Sequence, residues 1–277
     1  MRRLGLVFLA GLAVFSAVGY AVWVGLGPIP DPEGCTATVD GRTVTLSTEQ
    51  SENATLIAAI AVRRGLPARA VSIALATAYQ ESKIRNMSVG DRDSLGIFQQ
   101  RPSQGWGTEE EIMNPYYSIN AFYDALVRIE GYESMRITEA AQEVQRSGFP
   151  EAYEDHAPDA RALASALTGY SDGGQFTCVV RDGNGHGSAK SIAEDLEGAF
   201  GVDAVGSGDH VDVSIPSGED GARLEWAIAA YAVAQAERLH IAEVSVDGKH
   251  WEAGRASEKG WRTADTASGV RVRAVGP

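Results

Sequence analysis

Residues 4–27, LGLVFLAGLAVFSAVGYAVWVGLG, carry no charged side chain. At ~1.5 Å of rise per residue, a helix over this stretch reaches across the ~30 Å hydrocarbon core of a bilayer. The run is longer than the apolar core of a cleaved signal peptide, and Pro-rich PIPDPEG follows it directly where small cleavage-site residues would stand. An uncleaved transmembrane helix is therefore expected, with secretion after signal cleavage as the alternative. Arg2 and Arg3 precede the run and no basic cluster follows it, which puts the N-terminus in the cytoplasm. The expected location is the cell membrane, single-pass, with everything beyond Gly27 outside the cytoplasm and the membrane itself as one partner.

An oxidising exterior suits the two cysteines, Cys35 and Cys178. One disulfide between them is predicted, stabilising by roughly 4 to 5 kcal/mol in the chain-entropy treatment. No metal site is predicted. Two distant cysteines and five scattered histidines show no ligand spacing, and Asp209, His210, Asp212, His240 and His250 are assigned to the surface. A formal net charge of -13 without clustered Lys or Arg excludes a nucleic-acid-binding surface. No cofactor is expected, and the sequence names no protein partner.

TATVDGRTVTLS alternates in polarity around Asp40-Gly41, the pattern of a hairpin. Two helices follow. The first is expected to start at Asn53 as N-cap and to stop at Gly65, and Pro67 suits the first turn of the second. Further helices are expected in YYSINAFYDALVRI, in TEAAQEVQRSG with Thr138 as N-cap, and in DARALASALTGY. After Cys178 the character changes. VVRDGNGHGSAK reads as a linker, then a helix near Ile192 to Phe200, a strand HVDVSI, a long helix ARLEWAIAAYAVAQAERLH and strands AEVSV and VRVRAV form a small α+β unit.

Within the second helix Val71, Ala74, Leu75 and Ala78 recur at helical spacing, and Glu81 falls three residues beyond Ala78 and seven beyond Ala74. Glu81 thus extends the apolar face. A carboxyl desolvated in this way has a raised pKa and can hold a proton near neutral pH, as a general acid must. The alternative is a solvated helix end beside Lys83. The next stretch, NMSVGDRDSLGIFQQRPSQGWGTEEEIMNP, reads as a polar, Gly-rich loop folding over the end of the Glu81 helix.

Taken in order, ESKIRN, GDRDSLGIFQQRPSQGWG, MNPYYSINAFYDAL and AAQEVQRSGFPEAY resemble the lysozyme-like soluble lytic transglycosylase group of extracellular actinobacterial proteins. The resemblance spans roughly Leu46 to Gly169. Glu81-Ser82 matches that family's Glu-Ser pair at the end of a buried helix, and Gly96-Ile97-Phe98-Gln99 matches its Gly-Leu-Met-Gln type loop motif. The resemblance implies a lysozyme-like domain; with the residue patterns around it, the expected fold class is a mainly α lysozyme-like domain, preceded by one N-terminal transmembrane helix and followed by a small α+β domain. The expected boundaries are 1–27 for the cytoplasmic start and membrane helix, 28–34 for a stalk, 35–178 for the lysozyme-like domain, 179–190 for a linker and 191–277 for the last domain.

The implied activity is cleavage of the β-1,4 bond between N-acetylmuramic acid and N-acetylglucosamine in peptidoglycan strands. Glu81 would be the single acid/base, with Ser82 orienting it. Gln99 and Gln100 would contact sugars, and Trp106, set between Gly105 and Gly107, reads either as a platform for sugar stacking or as a core residue. The family's Ala-Tyr-Asn element is missing, and Gln145 or Ser147 would supply its polar contact. A hydrolase would want a second carboxylate, for which Asp91 and Asp93 are the candidates, against turn formation as their plainer role. The alternative function is a peptidoglycan-binding or scaffold protein with a degenerate lysozyme-like groove.

Overall fold

The computed structural model describes residues 32–149, 151–181, 185–266 and 269–276. Its first element is the expected hairpin. Strands β1 (Gly34–Val39) and β2 (Arg42–Leu46) pair antiparallel with Val39 opposite Arg42. Asp40 and Gly41 both take positive φ, 50° and 76°, the backbone that lets a two-residue turn follow the twist of its strands.

Helix α1 (Thr48–Arg63) starts five residues ahead of the expected cap. Ser47 is the N-cap: its hydroxyl accepts from the Gln50 N–H (3.3 Å), while the Gln50 side chain accepts from the Ser47 N–H (2.9 Å). Asn53 is buried inside the helix. Helix α2 (Ala68–Ser82) follows Pro67, and its alanine-rich middle allows close packing against its neighbours.

The loop beyond α2 does fold back over the helix end, held by isolated bridges between Met87 and Gly96 and between Leu95 and Gln100. Its Ile97 and Phe98 enter the core, where Phe98 stacks on Phe122 at 4.3 Å. Short α3 (Glu109–Met113) leads to α4 (Pro115–Leu126), capped by Asn114. In α5 (Ile137–Gln145) the cap is Arg136, and Thr138 sits buried in the first turn. Helix α6 (Ala157–Leu167) packs along α2, and strand β3 (Phe176–Val179) then pairs with β1, so the first sheet runs β2-β1-β3. That pairing sets Cys35 directly opposite Cys178, and the two sulfurs are bonded at 2.03 Å.

The rest comprises α7 (Ala189–Phe200), β4 (Ala204–Ser207), β5 (His210–Val213), α8 (Glu219–Ala234), α9 (Ala236–Leu239), β6 (Ile241–Val246), β7 (Lys249–Glu252), β8 (Arg262–Thr263) and β9 (Val270–Ala274). The strands form a second antiparallel sheet in the order β4-β5-β9-β6-β7-β8.

Two expectations are corrected here. The fold is a single mixed α/β unit spanning Glu33–Pro277, not a mainly α domain with a separate α+β domain after a linker at 179–190. The reason is packing: α8 lies against α1 and α6 as well as against β6, and Gln235 donates to the Glu52 carbonyl (3.1 Å) and the Thr55 hydroxyl (3.3 Å) on α1. Trp251 and Trp261 donate their indole N–H groups to the carbonyls of Cys178 (2.9 Å) and Phe176 (2.8 Å) on β3. The second correction concerns the membrane. Residues 4–27 lie outside the described residues, and no helix among the described residues is long and apolar enough to cross a bilayer. The expected transmembrane helix, and with it the single-pass membrane location and the membrane partnership, rests on residues 4–27 alone and has no counterpart among the described residues.

Candidate active site

Everything about the site starts at the C-terminus of α2. Lys83 and Ile84 both adopt left-handed backbone, with φ of 57° and 59°, and this stops the helix immediately after Ser82. Two amide side chains on α1 secure the turn: Gln50 Nε2 donates to the Lys83 carbonyl (2.8 Å) and Asn53 Nδ2 to the Ile84 carbonyl (2.9 Å). Glu81 is thereby fixed on the last turn, at the margin of the buried face.

The Glu81 carboxyl is mostly buried, and burial, the largest influence on it, raises its pKa above the ordinary value of 4.5. Two hydrogen bonds pull the other way. The Tyr153 phenol donates to Oε1 at 2.8 Å, and the Gln145 side chain also bonds the carboxyl. Tyr153 is itself fully buried, and its phenol is pushed well above the usual tyrosine range by burial first and then by the charge of Glu81. Gln145 is held by its other contact, from Nε2 to the Phe98 carbonyl at 2.8 Å, which ties α5 to the loop. The sequence alone assigns Tyr153 no role, although it lies in EVQRSGFPEAY. Its one signal is an aromatic residue closing a short polar connection.

Glu81 opens into a groove of about 570 Å³ that is lined by Asp91, Gln99, Trp106, Gln145 and Ser147 among others. Gln99 has φ of 48° and its amide donates to the Gly96 carbonyl at 3.2 Å. Its side chain lies against Gly90, where any Cβ would overlap it. Trp106 packs one part of its ring on the core and leaves the rest to the groove.

Two assignments fail. Gln100 is 1% exposed and donates to the Ser118 carbonyl (3.1 Å), so it is a core residue. Ser82 is buried too: its hydroxyl donates to the Ile97 carbonyl at 2.6 Å and accepts from the Arg85 N–H at 3.1 Å, which leaves it fastening the loop to the helix end rather than facing the groove.

The candidate second carboxylates differ from Glu81 in kind. Asp93 accepts from Arg101 Nε (2.6 Å) and from the Ser103 N–H (2.9 Å), and bonds from Ser103 first and then Arg101 hold its pKa well below the carboxylate range. It is an ionised clasp within the loop. Asp91 lines the groove but its side chain is 93% exposed. Burial is the main influence on Glu81, whereas hydrogen bonds hold Asp93 and Asp91 stands in solvent. Asp209, His210 and Asp212 come together on the second sheet, with His210 at 3.3 Å from Asp209 and 3.7 Å from Asp212, but no group of three or more side chains that could hold a metal ion occurs among the described residues.

Protein-family profiles give no match to this chain, and no curated protein matches it. A carboxyl whose pKa burial raises, near a phenol and two primary amides and beside a half-exposed indole, offers hydrogen-bond donors, acceptors and a flat apolar surface to a polar ligand.

Proposed function

We propose that the groove binds glycan strands of peptidoglycan and that Glu81 acts there as the single acid/base of a lytic-transglycosylase reaction. One observation carries the reading: the half-buried Glu81 carboxyl lining the groove has a pKa raised by burial and stands beside Tyr153 and Gln145. In the reaction Glu81 donates its proton to the glycosidic oxygen between N-acetylmuramic acid and N-acetylglucosamine, and the bond from that oxygen to C1 breaks. The resulting carboxylate then takes the proton of the C6 hydroxyl of the same sugar while O6 bonds to C1. An anhydro ring closes, no water is consumed and no second carboxylate is needed. The tied state of Asp93 and the exposure of Asp91 argue against a hydrolase that positions a water with either.

A second reading is binding without turnover, and a specific feature favours it. Both hydrogen bonds to Glu81 come from donors that stabilise the ionised form, against the protonation that catalysis needs. With Ala-Tyr-Asn absent and no catalytic relative matched, this reading also asks less of the site. Incubating the purified protein with peptidoglycan, followed by mass spectrometry of the released material, separates the two. Anhydro-ended fragments that vanish with Glu81→Gln support cleavage. Retention on the insoluble polymer without any product supports the binder, and absence of both overturns the proposal.

A further inference from the structure

The Glu81 groove has a branch. A second depression of about 860 Å³ runs between α4 and α5 and shares Gln104, Trp106, Gln145 and Arg146 with the first. On one side Tyr117, Ala121 and Ala125 fall four residues apart on one face of α4, giving a smooth apolar floor. Arg128 stands just beyond that helix. On the other side lie Glu143, on α5, and Arg146, its left-handed cap residue with φ of 51°.

Of the four charged side chains that line this branch, Asp124 is engaged by Arg64 at 2.7 Å, whereas among the described residues the exposed side chains of Arg128, Glu143 and Arg146 form no ion pair. Unpaired arginines at a groove stand out in a chain of net charge -13. A strand of N-acetylated sugars would leave them idle, because its rings are neutral. The charged groups of peptidoglycan sit on the peptide stem, which branches from the muramic acid lactyl group and carries carboxylates and, where a diamino acid is present, a free amine. Its small side chains also match an alanine floor.

We infer that the branch between α4 and α5 takes the peptide stem, so that the protein prefers stem-bearing strands over bare ones. Arg128 and Arg146 meet stem carboxylates and Glu143 meets an amine. This rests on the glycan reading of the main groove, and the test separates the two. Equilibrium binding is measured for the whole protein with peptidoglycan strands that retain their stems and with the same strands stripped by an amidase, the lactyl carboxylates so exposed being capped as methyl amides. The wild type is expected to bind stem-bearing strands about fivefold or more tightly, the scale of one or two exposed ion pairs. Arg128→Gln is expected to reduce that preference to within about twofold while leaving affinity for stripped strands unchanged, and Arg128→Lys to restore part of it. Equal wild-type affinity for both polymers overturns the inference and leaves the glycan reading standing. So does a preference that Arg128→Gln does not reduce. Failure to bind either polymer overturns both.

Discussion

The Tyr153 phenol donates a 2.8 Å hydrogen bond to the Glu81 carboxyl across 72 positions of sequence. Because the donor favours the ionised carboxylate, Tyr153→Phe should raise the Glu81 pKa further. The expected outcome is a shift of the Glu81 side-chain titration to higher pH, followed by carbon NMR of the carboxyl. The alkaline limb of any cleavage activity should move with it. A cost of about 1 kcal/mol in stability should accompany the lost bond, read from denaturant unfolding.

Glu81→Gln tests the same carboxyl through folding. Burial raises the folded pKa above the ordinary 4.5 of the unfolded chain. The folded form therefore keeps its proton over a pH range in which the unfolded form has lost it, and stability falls as pH rises through that range. The glutamine variant has no such limb. Its Tm should equal that of the wild type below about pH 4, exceed it increasingly as pH rises towards the folded pKa, and keep a constant lead above that. A Tm difference independent of pH would contradict the assignment.

Gly90→Ala should disturb the groove without touching Glu81. The added Cβ would overlap the Gln99 side chain and stand 2.7 Å from the Ser94 carbonyl oxygen, so the loop must move. A loss of roughly 1 to 3 kcal/mol is expected, the usual range for overpacking, together with weaker retention on peptidoglycan.

Replacing Cys35 and Cys178 by alanine removes a crosslink between residues 143 apart. The chain-entropy treatment puts the loss at about 5 kcal/mol. Urea denaturation of the double variant should show a lower midpoint, and the oxidised wild type treated with reductant should match it.

The position of Glu81 is legible in the sequence, because its place three and seven residues beyond buried alanines depends only on helical period. The same holds for the disulfide, which compartment chemistry and cysteine count suggest together. The choice between Gln99 and Gln100 is not legible there. It turns on a left-handed backbone at Gln99, which no side-chain preference announces. Ser82 shows a related limit, since a hydroxyl next to the acid suits a catalytic role by position, yet the Ile97 carbonyl claims it. Asn53 suits a cap by type, but the reciprocal Ser47 and Gln50 pair begins the helix earlier and frees Asn53 to hold the far end of α2. Tyr153 reaches Glu81 only through the packing of α6 on α2. The merging of the expected two domains hangs on Gln235, Trp251 and Trp261, whose partners are distant in sequence and leave no periodic trace.

The indole contacts on β3 have a practical side. A trimmed polypeptide ending after Val180 would keep both sulfurs and the whole groove lining, yet it would strip the Cys178 and Phe176 carbonyls of their donors and bare the flank of α1 that Gln235 covers. Attempts to isolate the groove-bearing half as a minimal fragment should then yield aggregation, and crystallisation or ligand screens are better served by the uncut chain from Glu33 onward.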